Sequence, residues 1–107
     1  MKTINREALL SFWKAHILHH ARTKAVNGQW ILTELRRHGY ELSFGTRYPL
    51  LERMERLGWL RGKAVRLGGA RTRRDYRLTA QGEKVLELRR GKVQELYEEV
   101  VKEGGMA

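Results

Sequence analysis

Seven basic residues crowd the seventeen positions from Arg61 to Arg77: Arg61, Lys63, Arg66, Arg71, Arg73, Arg74 and Arg77, against one acid, Asp75. Guanidinium and ammonium groups at that density suit phosphate oxygens, which accept charge-assisted hydrogen bonds and offset the mutual repulsion of the cations. A second group is His16, His19 and His20. His16 and His20 are four apart and share one face of a helix, so they could face one metal ion. The sequence offers no obvious third ligand, having no cysteine and no nearby carboxylate on that face, so they read as packed or capping histidines and no metal or other cofactor is expected. No nucleophile stands beside a base, and no glycine motif could cradle phosphate. Gly68-Gly69 and Gly104-Gly105 read as a turn and a tail, and the carboxylates read as helix-surface charges. The chain is therefore expected not to be an enzyme.

The basic stretch must be held by elements that the pattern predicts. Ser43 suits an N-cap, since its hydroxyl can accept from a free amide of the first turn. Leu50, Leu51, Met54 and Leu57 recur at threes and fours and predict one apolar helix face. Pro49 is tolerated only near the start, so the helix is expected to begin close to Thr46 and to end at Gly58. Trp59, Leu60, Ala64, Val65 and Leu67 then suit a strand, Gly68-Gly69 a turn, and Tyr76 and Leu78 the returning strand. Trp59 and Leu60 are expected in the core. A helix followed at once by a basic two-stranded hairpin is a winged helix: the helix can enter a major groove while the hairpin lies along phosphate.

Upstream, residues 4–21 predict a helix whose stripe of Leu9, Phe12, Trp13, His16, Ile17 and His20 is broad enough to cover a core or another subunit. Ala21 to Val26 reads as a polar connection. Asn27-Gly28 opens a second helix with Trp30, Ile31, Leu32 and Leu35 inward, closed by Gly39. The short link Gly39 to Leu42 makes a helix-turn-helix with the groove helix. Downstream, Thr79 caps a helix from Ala80 to about Glu103. Leu86, Val93 and Val100 fall seven apart with Leu96 and Tyr97 between, a coiled-coil-like seam. At 1.5 Å per residue this helix would span roughly 36 Å, too long for so small a domain to cover, so it is expected to pack on a second copy. Gly91 interrupts it and predicts a kink or a close approach, and Gly104 to Ala107 are expected to fray.

The fold class is thus mainly α with a small β-hairpin, a winged helix-turn-helix plus a long C-terminal dimerisation helix. Residues 1–79 form the DNA-binding domain with its N-terminal dimer-contacting helix, and residues 80–107 the dimerisation helix. The 107 residues carry a net charge of +10. Residues 83–107 hold six acids and five bases, so the excess lies in residues 1–82, with 17 bases and six acids. Charge confined to one module suits a polyanion. The absence of cysteine excludes a disulfide framework and is compatible with a reducing cytoplasm, the expected location. No long apolar run opens the chain, so neither a signal peptide nor a membrane span is expected.

Two stretches carry a resemblance to a known family. GTRYPLLERMERLGWL is similar to a family pattern of Gly-Thr-x-Tyr-Pro-x-Leu closing in Glu-x-x-Gly, and YRLTAQGE to Tyr-x-Leu-Thr-x-x-Gly. Over about residues 8–90 the chain resembles the PadR family of bacterial and archaeal transcriptional regulators. The resemblance implies a winged-helix homodimer whose N- and C-terminal helices exchange contacts between subunits, an operator with two-fold symmetry and, usually, repression. The short C-terminal segment resembles the branch with a single long dimer helix. Two residues depart from the pattern: Arg47 stands where the family usually has an aliphatic residue, and Phe44 where proline is frequent. Arg47 either gives up an inward apolar contact or adds a cation near DNA.

The expected function is a sequence-specific DNA-binding regulator, a homodimeric repressor released by a small aromatic or lipophilic effector. The competing class is a winged-helix module binding nucleic acid without sequence preference, or RNA or protein. Expected partners are double-stranded DNA and a second copy. The expected DNA-contacting residues are Ser43, Thr46, Arg47, Tyr48, Arg53, Arg71, Arg73 and Arg74. Tyr48 in the family can reach phosphate or a base edge; a half-buried aromatic supporting the hairpin is the equal alternative. Arg53 can read guanine or hold a phosphate. Phe12, Trp13, His16, Leu96, Tyr97 and Val100 are expected to line a dimer contact or effector pocket.

Overall fold

The computed structural model describes the backbone of residues 2–40 and 44–103 and the side chains of residues 10–40 and 49–103. In chain order the elements are α1 (Lys2–Thr23), β1 (Val26–Asn27), α2 (Gly28–Arg37), α3 (Phe44–Arg56), β2 (Leu60–Gly68), β3 (Arg71–Leu78) and α4 (Ala80–Leu96), which runs on as a wider π-helical segment (Tyr97–Glu103). Among the described residues no helix is long and apolar enough to cross a membrane.

The helix-turn-helix and the hairpin form as the pattern predicts. Asn27 Oδ1 accepts from the Trp30 amide at 2.9 Å and caps α2. Ile31, Leu32 and Leu35 are buried from α2, and Leu50, Leu51 and Met54 from α3. They meet Trp13, Ile17, Leu18 and Ala21 of α1, Val26, Leu60, Tyr76 and Leu86 in one core. Leu60 is buried, and Trp59 packs against this core while staying partly exposed.

Several details differ from the sequence reading. The Ala21–Val26 connection is mostly structured: α1 continues to Thr23, and Val26 with Asn27 adds a third strand to the hairpin. The sheet is antiparallel in the order β1-β3-β2, with Val26 opposite Tyr76 and Asn27 opposite Asp75. α3 begins at Phe44, two residues before the expected start, with Pro49 inside it. Proline there forfeits one backbone bond, a loss limited to the turn preceding it. Leu57 is 39% exposed and turns off the buried face, because Gly58 reverses the chain directly after it at φ 84°. A Cβ built on Gly91 meets nothing within 4 Å, so no close approach involves it within this chain. The proposed cap Ser43 lies outside the described residues.

The end of α3, the start of β2 and the start of α4 converge at one joint. Thr79 Oγ1 donates to the Gly58 carbonyl at 2.5 Å and accepts from the Gly82 amide at 2.9 Å. The Thr79 amide donates to the Trp59 carbonyl at 3.1 Å. That carbonyl passes so close to Gly82 that a Cβ there would lie 2.1 Å from its oxygen. Backbone oxygen cannot yield as a flexible side chain would, so only glycine fits. We expect Gly82→Ala to lower stability by about 2 kcal/mol or more, as overpacking does. Thr79→Ala should cost about 1 kcal/mol through the lost cap. Urea unfolding of the two variants beside the parent checks the order: equal losses would mean the joint is held by the cap alone.

Candidate nucleic-acid interface

The wing is built by strand alternation. In the β2–β3 register Leu60 faces Leu78, Gly62 faces Tyr76 and Ala64 faces Arg74, while Arg61 faces Arg77, Lys63 faces Asp75 and Val65 faces Arg73. Residues two apart share a face, so Leu60, Gly62, Leu78 and the buried Tyr76 look toward the core. Arg61, Lys63, Arg73 and Arg77 share the outer face around Asp75. Arg61 and Arg77 are like charges directly opposite one another, a pairing that is unfavourable until an anion joins it. A register shift between Arg66 and Gly68 precedes the tip, where Gly68 (φ 115°) and Gly69 (φ 59°) take the left-handed conformations the turn demands.

The three arginines expected to hold phosphate divide. Arg73 is paired with Asp75, Nε to Oδ1 at 2.8 Å. Arg74 reaches back to α3, donating from its Nη2 to Glu55 Oε2 at 2.8 Å and from Nε to Oε1 at 3.3 Å. Arg71, exposed, has no ion pair among the described residues, and the same holds for Arg61, Lys63, Arg66 and Arg77. In the free protein the Arg74 fork thus grips a carboxylate within the fold. Arg53 is exposed on α3. Thr46, Arg47 and Tyr48 lie in the first turns of α3, with side chains outside the described residues.

Glu55 is the residue that sequence reading missed. Besides Arg74 it accepts from the Gly62 amide at 3.0 Å, so one carboxylate ties α3 to both strands of the wing. Arg74 lies across Gly62, where a Cβ would come within 2.4 Å of its Nε. A glycine inside a strand pattern marks such an approach, and Gly62 was the available signal. The Arg74 hydrogen bond holds the Glu55 carboxyl below its ordinary 4.5, helped by the Gly62 amide. Burial raises the Tyr76 phenol alongside.

Of the residues expected at a dimer contact or pocket, Phe12 is 47% exposed, and Leu96, Tyr97 and Val100 are at least half exposed on the distal part of α4 and its continuation. Trp13 is not available on that surface: it is buried, edge-on to Tyr40 at 6.2 Å between ring centres. His16 is partly buried, its Nε2 3.3 Å from the Tyr40 hydroxyl. Arg89 ties α4 to α1, donating to Ser11 Oγ at 2.7 Å and lying over the Trp59 ring.

The family model for the transcriptional regulator PadR-like family matches residues 17–88, which include α2, α3, the wing and the capped start of α4. The chain belongs to this family. It is 44% identical over 88 residues to the transcriptional regulator Rv3488 of Mycobacterium tuberculosis, covering 82% of this chain and 81% of that one. A PadR-family regulator from Eggerthella lenta superposes with a TM-score of 0.75 at 27% identity, over 94% of this chain and 92% of the other. Bacillus subtilis PadR, solved in complex with operator DNA, superposes with a TM-score of 0.61 at 22% identity, over 69% of this chain and 44% of that one, and supports the fold. The PadR-type transcriptional regulator and the winged-helix fold read from the sequence are thus both found.

The Glu55 contact sets a pH dependence. A carboxyl whose folded pKa is depressed contributes stability that is present above its ordinary value and lost as pH falls through the folded one. The parent should therefore lose stability below about pH 4.5 more steeply than Glu55→Gln does. Denaturant titrations at pH 6, 4 and 3 measure this; parallel curves for the two proteins would show that the contact contributes nothing.

Proposed function

We propose that this PadR-type regulator is a homodimeric, sequence-specific repressor, with α3 of each protomer in the major groove and the wing along the flanking phosphates. The observation that carries the reading is the outer face of the wing, where Arg61, Lys63 and Arg77 stand without ion pairs among the described residues, beside Arg71 at the tip. Ser43, Thr46, Arg47, Tyr48 and Arg53 on and before α3 are the proposed base or phosphate contacts. Selection from random duplexes at two salt concentrations tests it. A palindromic site with half-sites about one helical turn apart is expected. Salt-dependent binding with no enriched sequence would reduce the function to non-specific nucleic-acid binding. On the recovered site, Arg71→Ala should weaken binding evenly across sequences and lower the salt slope by about 1, whereas Arg73→Ala, already paired with Asp75, should change the slope less. Equal slopes for Arg71→Ala and the parent would remove the wing tip from the contact.

Dimerisation rests on the uncovered apolar surface of the C-terminal helix. Leu88, Val93, Leu96, Tyr97, Val100 and Val101 are all 48–63% exposed, and from Arg90 to Glu103 every residue is exposed. Contiguous apolar surface of this kind marks an interface. Leu96→Asp, outside the core, should leave the fold intact, halve the mass in sedimentation and weaken operator binding; an unchanged mass would place the interface elsewhere. Release by a small aromatic or lipophilic effector completes the proposal. Such a ligand would lie against Phe12 and the distal helix, since Trp13 is enclosed within its own protomer. A panel of planar compounds that neither binds nor lowers operator affinity would count against it.

A further inference from the structure

α1 and the end of α2 bring three imidazoles together. His16 and His20 project from one face of α1, which is anchored by the buried Ile17, Leu18 and Ala21 between and beside them. His38 caps α2, its amide bonded to the Glu34 and Leu35 carbonyls at 3.2 and 3.1 Å. One ring nitrogen from each of the three lies within 4.8 Å of the others. The rings are near-parallel for His16 and His20, 14° apart, and His16 and His38 are 4.7 Å apart between ring centres. The third group missing from the sequence pattern is thus supplied from a different helix.

The geometry points to a binding site for a divalent transition-metal ion held by His16, His20 and His38. Tetrahedral zinc at 2.0–2.1 Å from each nitrogen sets ligand atoms about 3.4 Å apart, so modest side-chain rotation closes the present spacing. Glu34, only 13% exposed, borders two of the three rings: its Oε1 is 3.2 Å from His38 Nε2 and 3.7 Å from His20 Nε2. Arg37 holds that carboxylate beside the two rings, its Nη2 2.6 Å from Oε1. Tyr40 steadies His16 through a hydroxyl–Nε2 hydrogen bond of 3.3 Å, and Trp30 lies edge-on to His20. Such outer partners orient ligating imidazoles.

Individual hydrogen bonds explain His16 and His38 singly, but not three imidazoles gathered within 4.8 Å of one another. Protonated, they would repel; a shared cation replaces those protons with a favourable interaction. Imidazole donors without thiolate suit zinc, nickel or cobalt(II) over magnesium or calcium, and the chain has no cysteine.

Titrating the untagged full-length chain with cobalt(II) and following the visible ligand-field bands tests the site without DNA. One cobalt per chain is expected, displaced by zinc and not by magnesium. His38→Gln, which keeps a polar side chain at an exposed position, should weaken cobalt binding by about tenfold or more with an unchanged circular dichroism spectrum. His19→Ala, which removes an exposed ring outside the group of three, should bind as the parent does. No ligand-field band, or equal affinity in His38→Gln and the parent, overturns the assignment.

Discussion

The Trp59 carbonyl accepts from the Thr79 amide and fills the space that a side chain at position 82 would need. Around it α3 stops, the wing begins and ends, and α4 starts. Gly58 turns the chain out of α3, the wing runs out and back, and Thr79 closes the loop by binding both Gly58 and Gly82. The direction of α4 is therefore set from the end of α3. α3 and the helix with the exposed apolar surface cannot be re-aimed independently without breaking this joint. The Thr-x-x-Gly that follows the wing has a physical reason: threonine supplies one donor and one acceptor, and glycine supplies the absence of a Cβ.

A second tie fixes the wing. Glu55 binds Arg74 and the Gly62 amide, so α3 carries the hairpin as an attached arm. Arginine in this wing is consequently of two kinds. Arg73 and Arg74 serve neighbouring carboxylates, and the opposed Arg61 and Arg77, with Lys63 and Arg71, leave positive charge facing out. The net charge of +10 is a poor guide to which cation meets an anion outside the chain; the partner of each one decides that.

What was legible in the sequence follows from how local each cause is. Helix faces such as Leu50-Leu51-Met54, the caps Asn27 and Thr79, and the Gly68-Gly69 turn act within a few residues and can be read directly. β1 could not be read, because two residues carry no periodicity and Val26 becomes a strand only by meeting Tyr76, 50 positions away. Arg74 meets Glu55 across 19 positions, and His38 joins His16 only when α1 and α2 are packed. Leu57 kept the spacing of a buried face but lost the burial to the reversal at Gly58. The groove-helix candidates from Ser43 to Tyr48 rest on the family pattern and the chemistry of their side chains.

Asn27 holds two posts at once. Its backbone pairs with Asp75 in the sheet while its side chain caps α2. A load applied to the wing is thereby passed through β3 and β1 to the first turn of α2, and through Glu55 to α3, along two separate routes. The wing is thus tied to both helices of the helix-turn-helix at different points, so displacing it strains contacts on each. The helix beyond Arg90, where every residue to Glu103 is exposed, has no such tie among the described residues.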